Sequence, residues 1–304
     1  MTGTVAPPAW FRDAIAVPHR EIAVPVAGVT VRGRVWGAPG PGPTLTLVHG
    51  GAAHAGWWHF LAPAFLPAWR VVALDLSGHG DADHRDHYRF PVWADEVAAV
   101  TAQVAGDGPS VLVGHSMGGV VAGLAAAAPS ASRPAGVVVV DTPLHEPDQA
   151  TIDNADAVFS RVRAHPTREA AVARFRLLPE QPAEHPALVA HVAEHSVRQT
   201  PGGWTWKFDP AVFATRASER PADLGATLAA AGVPVGAVVG ERSEVVPGAD
   251  RRRLRDLAAR HGDAADGYHE VAGGYHHLQF DQPRALLAAL SAILTGWGLP
   301  GAGA

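Results

Sequence analysis

The chain contains no cysteine, which removes disulfides, thiolate metal ligands and a cysteine nucleophile together. Lysine is almost missing too, since Lys207 stands alone. Net charge is −5 and no long basic run occurs, so neither nucleic acid nor an anionic membrane surface is an expected partner. No stretch approaches the roughly 18 uninterrupted apolar residues of a membrane span. The opening segment, MTGTVAPPAWFRDAIAVPHR, carries charges where a signal peptide needs an apolar core. A soluble cytoplasmic protein is the expectation. No internal repeat is present, and the oligomeric state is not legible.

Short apolar runs recur through the 304 residues with helical intervals between them. Glu21–Val26 and Val29–Trp36 alternate as an antiparallel hairpin across Ala27-Gly28. Strands are predicted at Thr44–Val48, Arg70–Leu74, Ser110–Val113, Gly136–Val140, Val235–Val239 and Gly267–Val271. Helices fit the stretch after Trp57, Val92–Val104, the run from the residue 116 region to about Ala128, and Pro283 to about Leu294. This alternation predicts an α/β fold, a mostly parallel sheet with helices on both faces. The rhythm breaks between residues 143 and 225, a span too long for a structureless loop. We read it as an inserted helical cap, with Arg168–Leu178 one of its helical patterns and GGWTWKFDP its aromatic run. The core is then 21–142 plus 226–304, preceded by an extension of uncertain order at 1–20 and ended by a frayed tail from Gly298.

Within that frame, PSVLVGHSMGG at 109–119 is the most informative segment. A bare G-x-S-x-G is more often an ordinary turn. Here an apolar β-branched run precedes it and an alanine-rich helix follows, so Ser116 sits at the apex of a strand–turn–helix elbow. A serine held that way projects its hydroxyl beyond the sheet, where the following helix offers backbone N–H groups to a developing oxyanion. Upstream, Leu45–Val48 runs into His49-Gly50-Gly51, whose glycines let the backbone approach a ligand closely. The N–H groups of Gly51 and Met117 are therefore the candidate oxyanion hole. Downstream, VAGGYHHLQFDQP places His276 and His277 on a loop before the last helix. Histidine exchanges protons near neutral pH, and His276, first after the turn, is the candidate general base. His277 is expected to pack locally, and His165, His185, His191 and His195 to lie on the surface.

The segment Asp75-Leu76-Ser77-Gly78-His79-Gly80 is assigned a structural turn. Its histidines and aspartates (His79, Asp81, Asp83, His84 and His87) lack any fixed spacing that would compel a metal, and neither a metal nor a cofactor is expected.

Taken together, HGG at 49–51, DLSGHG at 75–80, GHSMGG at 114–119 and GGYHHLQFDQP at 273–283 resemble the α/β-hydrolase superfamily, in its serine esterase or lipase-like form, over residues 21–296. The resemblance implies Ser116 as nucleophile, His276 as base and a carboxylate between them in the chain. Family members usually carry an acidic residue and a proline soon after the histidine, a habit that Asp281 and Pro283 fit. They also usually place an aspartate three residues after the glycine that follows the strand here predicted at Val235–Val239. Here Gly240-Glu241-Arg242-Ser243-Glu244 puts a serine in that place, with Glu244 one residue later. Other members take the acid from the end of the strand after the nucleophile helix, where Asp141 stands. Asp141 is preferred because a strand end is rigid, with Glu244 the alternative.

The implied activity is cofactor-free hydrolysis of a carboxylic ester, lactone or thioester through an acyl-enzyme, on a small-molecule acyl substrate. A carbon–carbon bond hydrolase or a pathway thioesterase would use the same residues, and a ligand-binding protein without turnover is a further alternative. Trp57, Trp58 and Trp204 are candidate pocket walls, while Trp206 and Phe208 suit cap-to-core packing equally well.

Overall fold

β-branched runs of five or six residues dictate the centre of the molecule. In the computed structural model, which describes residues 6–129, 133–146, 153, 157–159, 163–214, 219–261 and 267–303, these runs assemble into one eight-stranded sheet. Its strands are β1 (Arg20–Val26), β2 (Val29–Trp36), β3 (Thr44–Val48), β4 (Arg70–Asp75), β5 (Ser110–His115), β6 (Gly136–Val140), β9 (Val235–Gly240) and β10 (Tyr268–Val271). The hairpin β7 (Val197–Thr200) and β8 (Gly203–Trp206) forms a separate two-stranded sheet. Every residue of β3, β5, β6 and β9 is buried, because helices cover both faces of a parallel sheet and leave no polar side. β1 instead alternates exposed and buried residues, as an edge hairpin must. Ala27 and Gly28 turn that hairpin with φ of 45° and 87°, the positive pair that matches strand twist.

Strand order is β1-β2-β4-β3-β5-β6-β9-β10, antiparallel between β1, β2 and β4 and parallel from β4 onward. From β3 the chain first adds β4 on one side and then crosses to β5 on the other. The carboxyl ends of β3 and β5 therefore flank the place where the winding reverses, which is where open α/β sheets leave a crevice. Helix α2 (Phe90–Val104) and helix α3 (Met117–Ala127) pack together on one face. The helix Pro283–Gly296 contacts β9 and β10.

Several expectations need correction. Residues 9–15 are not a loose extension but helix α1 (Ala9–Ile15), held because Phe11 is buried against Phe60, ring centroids 5.7 Å apart. Nor does the tail fray. The buried Trp69 indole N–H needs an acceptor and finds Pro300 O at 2.8 Å, while Gly303 N–H donates to Ala64 O at 2.7 Å. The stretch after Trp57 forms two short 3₁₀ turns, Ala55–Trp58 and Ala62–Phe65, because Pro63 and Pro67 interrupt any longer helix. Between β6 and β9 the structure gives helices Arg168–Val172, Pro186–His195, Ala211–Ala214 and Leu224–Ala231, but also β7–β8. The segment is thus not purely helical, since the Trp- and Thr-rich run after Gly203 favours a strand. The expected helical pattern 168–178 stops at Val172. Residues 147–152, 154–156, 160–162 and 215–218 of the expected insertion, with 1–5 and 304, lie outside the described residues. No described helix is long and apolar enough to cross a membrane.

Candidate active site

The turn at Ser116 works only because its flanking residues lack side chains. A Cβ on Gly114 would lie 2.1 Å from Gly118 O, and one on Gly118 would lie 2.3 Å from His49 O. With both positions bare, β5 reverses directly into α3 and Ser116 is left at φ 55° and ψ −121°. Its N–H donates to Val140 O at 2.9 Å, tying the apex to the neighbouring strand β6. Among the described residues five non-glycine positions have positive φ, and three of them, Ala52, Ser116 and Asp141, fall at the carboxyl edge of β3, β5 and β6. Each such residue costs on the order of 1–3 kcal/mol, and strain gathered at one edge points to a functional site.

The HGG turn lies over this elbow. A Cβ on Gly50 would come 3.3 Å from Ser116 Cβ, and one on Gly51 would come 3.9 Å from Met117 Sδ. His49 sets the orientation of the turn. Its Nε2 accepts from Leu76 N–H at 3.1 Å, so Nδ1 carries the proton and donates to Gly50 O at 2.7 Å. Burial pushes its pKa down to about 4, which keeps the ring neutral. A trans peptide points its N–H opposite its C=O. Anchoring the Gly50 carbonyl therefore fixes the direction of the Gly51 N–H. Among the described residues neither Gly51 N–H nor Met117 N–H donates a hydrogen bond.

His276 meets Asp141, whose Oδ2 lies 2.6 Å from its Nδ1; the two side chains are 5% and 0% exposed. Asp141 ends β6 at φ 44°, and its other oxygen accepts Gly240 N–H at 2.9 Å. Ser243 Oγ donates to Oδ2 at 2.5 Å. Thus the serine that stands where an aspartate was expected binds the aspartate that the neighbouring strand supplies. Glu244 is exposed and bonds neither His276 nor Asp141. The loop carrying His276 is held by Tyr275 N–H donating to Asp281 Oδ2 at 2.5 Å, which gives the acidic residue after the histidine a physical task.

Two further histidines flank His276. Ring centroids of His115 and His277 lie 4.8 Å and 4.6 Å from its own. The Nε2–H of His115 donates to His276 O at 3.0 Å, and that of His277 donates to Leu178 O at 3.0 Å. Burial holds both rings well below the ordinary histidine pKa. Among the described residues these three form the one group able to offer three metal-ligand nitrogens, within 4.8 Å of one another. His115 and His277 commit Nε2–H to carbonyls and His276 commits Nδ1 to Asp141, so each ring is held by its own hydrogen bond, with interplanar angles of 40° and 61° to His276. Gln181, from the segment between β6 and β9, accepts His277 N–H at 2.7 Å. Nothing in its sequence surroundings marked it.

The DLSGHG residues do not converge on one point. Asp75 clasps Ala55 N–H at 2.6 Å and Asp81 N–H at 2.9 Å, while burial raises its pKa to about 6. His79 is fully buried against His49 and Trp93 instead of lying in a solvated loop. Asp81 pairs with Lys207, Asp83 accepts Thr30 N–H, His84 faces Asp209, and His87 is exposed.

A cavity of about 510 Å³ reaches the site at Gly51 and is walled by Trp57, Phe159, Phe175, Trp206 and Phe208. Two expected wall residues do not line it. Trp58 is 1% exposed and packs into the core. Trp204 lies beside the turn of the β7–β8 hairpin, two residues and about 7 Å along the strand from Trp206. His191 is also not a surface residue, since its Nε2 lies 3.2 Å from His59 Nδ1 and its ring packs on Phe11.

This arrangement, a strained serine elbow at the switch point of a mostly parallel sheet with a buried His–Asp pair beside it, is that of an α/β-hydrolase. The sequence profile of the Alpha/beta hydrolase family matches residues 47–290, and the chain belongs to that family. It is an enzyme family of hydrolases, and curated relatives include esterases and lipases. Esterase Rv0045c of Mycobacterium tuberculosis is 29% identical over 85% of this chain and 84% of its own. A serine hydrolase-like protein of Danio rerio is 38% identical over 34% of this chain, a match that spans 32% of the relative's length. Among solved structures, E-2-(acetamidomethylene)succinate hydrolase aligns with a TM-score of 0.75 at 24% identity, covering 91% of this chain and all of that one, which supports the fold.

Proposed function

We propose that the protein hydrolyses a carboxylic ester, in the broad sense that includes lactones and thioesters, through an acyl-enzyme on Ser116. The observation that carries this reading is the 2.6 Å contact between His276 and Asp141, one strand from a serine held at φ 55°. With Nδ1 fixed on Asp141, the proton-accepting nitrogen of His276 is Nε2, and Asp141 stabilises the imidazolium formed when Ser116 gives up its proton. Ser116 Oγ attacks the substrate carbonyl carbon. The electron pair moves to the carbonyl oxygen, which the N–H groups of Gly51 and Met117 receive; one such donor is worth roughly 10²–10³ in kcat. Collapse expels the leaving group, protonated by His276. The same histidine then deprotonates the water that releases the acid.

Residues 143–225 act in this reading as a cap over the β-sheet edge, and its aromatic cavity wall, together with Trp57, holds the acyl part of a small substrate. The esterase and lipase names of the relatives support the ester class. The decisive measurement is covalent labelling by a fluorophosphonate on the full chain, with p-nitrophenyl ester turnover alongside. Labelling at Ser116 and turnover by wild type but not by Ser116→Ala is the expected result. An unlabelled Ser116 in folded protein would sink the proposal.

A further inference from the structure

Charge on the cavity wall runs against that of the chain. The protein has 29 acidic and 24 basic residues, yet the cavity is lined by Arg163, Arg174 and Arg176 against a single carboxylate, Glu180. Several arginines elsewhere are neutralised, as Arg85 is by Glu96, Arg89 by Glu219, Arg251 by Glu270 and Arg253 by Asp223. Among the described residues no carboxylate lies within ion-pair distance of the three at the cavity. Their placement follows from the local chain. After the helix Arg168–Val172, Phe175 turns inward against Trp57 and Trp206, which leaves Arg174 and Arg176 on either side of it at the mouth. Arg176 is steadied by donating to the carbonyls of Ala173 at 3.1 Å and Phe175 at 2.6 Å.

A second observation concerns the same mouth. Val158 and Leu178 are the exposed large hydrophobic residues of the described chain, at 47% and 36%, and both line this cavity. The route inward therefore passes a cationic rim with apolar patches, then aromatic walls, then the Gly51 N–H. A neutral ester has no use for unpaired guanidinium groups. A substrate with an apolar body and an anionic end uses every part of the route, because Arg forks match carboxylate and phosphate oxygens and several cations around one mouth focus their field.

We propose that this cavity selects esters or thioesters carrying an anionic group, carboxylate or phosphate, beyond an apolar segment. The proposal rests on the acyl-transfer reading above. Two sources of the anion are distinguishable. A carboxylate at the far end of the acyl chain and a phosphate on the leaving group both reach the rim, from opposite sides of the scissile bond.

The test compares four substrates of six-carbon acyl length on the full chain. These are p-nitrophenyl hexanoate against mono-p-nitrophenyl adipate, and the hexanoyl thioester of N-acetylcysteamine against that of coenzyme A. The absence of cysteine lets released thiol be read directly with a chromogenic disulfide. The expected result at low salt is a kcat/KM about tenfold higher for one anionic substrate than for its neutral counterpart, mainly through KM, since exposed ion pairs contribute modestly and additively. Preference for the adipate places the anion on the acyl side, and preference for coenzyme A places it on the leaving group. In Arg163→Gln/Arg174→Gln that ratio falls toward one, and added salt lowers it likewise. Arg260→Gln, an exposed arginine away from the cavity, keeps the wild-type ratio. Equal kcat/KM for anionic and neutral substrates in wild type, with all turnover lost in Ser116→Ala, overturns the anionic subsite and leaves the acyl-transfer reading standing. A ratio unmoved by the double substitution also overturns it. No turnover of any substrate and no fluorophosphonate label on Ser116 overturns the acyl-transfer reading and the subsite with it.

Discussion

Ser243 Oγ donates a 2.5 Å hydrogen bond to the same carboxylate oxygen of Asp141 that His276 engages at 2.6 Å. The contact joins the loop after β9 to the end of β6, and with Gly240 N–H it gives the carboxylate three donors. It also bears on how strongly Asp141 acts on His276, because a donor on a carboxylate disperses part of its charge. In Ser243→Ala that donor is gone, and the loop after β9 loses one of its ties to the carboxylate that orients His276. We expect kcat on one chromogenic ester to fall by about tenfold or more, on the scale of one lost hydrogen bond to a charged group, about 1.5–3 kcal/mol. A kcat equal to that of wild type would show that Ser243 does not hold the pair.

The position of the acid is tested by a rescue. Asp141→Asn is expected to lower kcat by about 10³–10⁴ while the protein stays folded, because the imidazole loses the partner that orients it and stabilises its charge. Glu244→Gln is expected to stay within about twofold of wild type, its side chain being exposed and unconnected to His276. Adding Ser243→Asp to Asp141→Asn places a carboxylate on the loop beside the pair, and partial recovery, about tenfold or more over Asp141→Asn alone, is the expected outcome. Steady-state kinetics on one chromogenic ester decides all three.

Much of this arrangement was legible before any coordinate. Val111-Leu112-Val113 before Ser116 and the small residues after it fixed a strand and a helix, so the elbow between them could be inferred from chain geometry alone. Asp141 could be nominated for the same reason, as a residue at the end of an apolar run. What the residues did not announce were contacts between segments distant in sequence. Ser243 is 102 residues from Asp141, and Gln181 is 96 residues from His277. Trp58 and Trp204 stand off the wall of the cavity; composition shows that a tryptophan needs a large apolar contact but not which side of a short turn or hairpin supplies it. The docking of α1 was missed for a similar reason, since a seven-residue helix with one buried phenylalanine carries little periodic signal.

Two glycines in adjoining turns of the elbow and its helix should respond differently to the same substitution. A Cβ at Gly118 would meet backbone, His49 O at 2.3 Å and Val48 O at 2.6 Å, so β3 itself has to move. At Gly123 the nearest atoms are side-chain ends, Leu224 Cδ1 at 2.9 Å and Leu228 Cδ2 at 3.1 Å, which can shift. Gly118→Ala is expected to lower the unfolding midpoint by about 10 °C or more and to abolish turnover, as overpacking against backbone costs several kcal/mol. Gly123→Ala is expected within about 3 °C of wild type, because the helix gain of alanine over glycine offsets part of the crowding. Thermal melts followed by circular dichroism separate the two. Equal shifts would contradict the distinction between backbone and side-chain contact.

Acid should destabilise the fold well before carboxylates titrate in bulk. Burial lowers His49 to about 4, His59 to about 3 and His191 to about 4, and holds His54, His79, His115 and His277 well below the ordinary value. In each case the unfolded chain binds a proton near pH 6.5 that the folded chain refuses. Their stabilising contribution is therefore complete above about pH 6.5 and is lost as pH falls toward the folded values. For His49 alone this amounts to on the order of 3 kcal/mol across the window from 6.5 to about 4. Asp75 and Asp281 act oppositely, since burial raises each to about 6 and the folded chain gains stability as pH falls from there toward the unfolded carboxylate value. The histidines outnumber them and begin to act at higher pH, so the net direction between pH 7 and 5 is loss, expected as a drop of about 10 °C or more in the melting midpoint. His59→Phe fills the same aromatic niche beside Trp36 without a titrating group, and its midpoint should fall less over that range than that of wild type. A melting midpoint that is flat or rises on acidification to pH 5 would remove the buried histidines as the source of pH sensitivity.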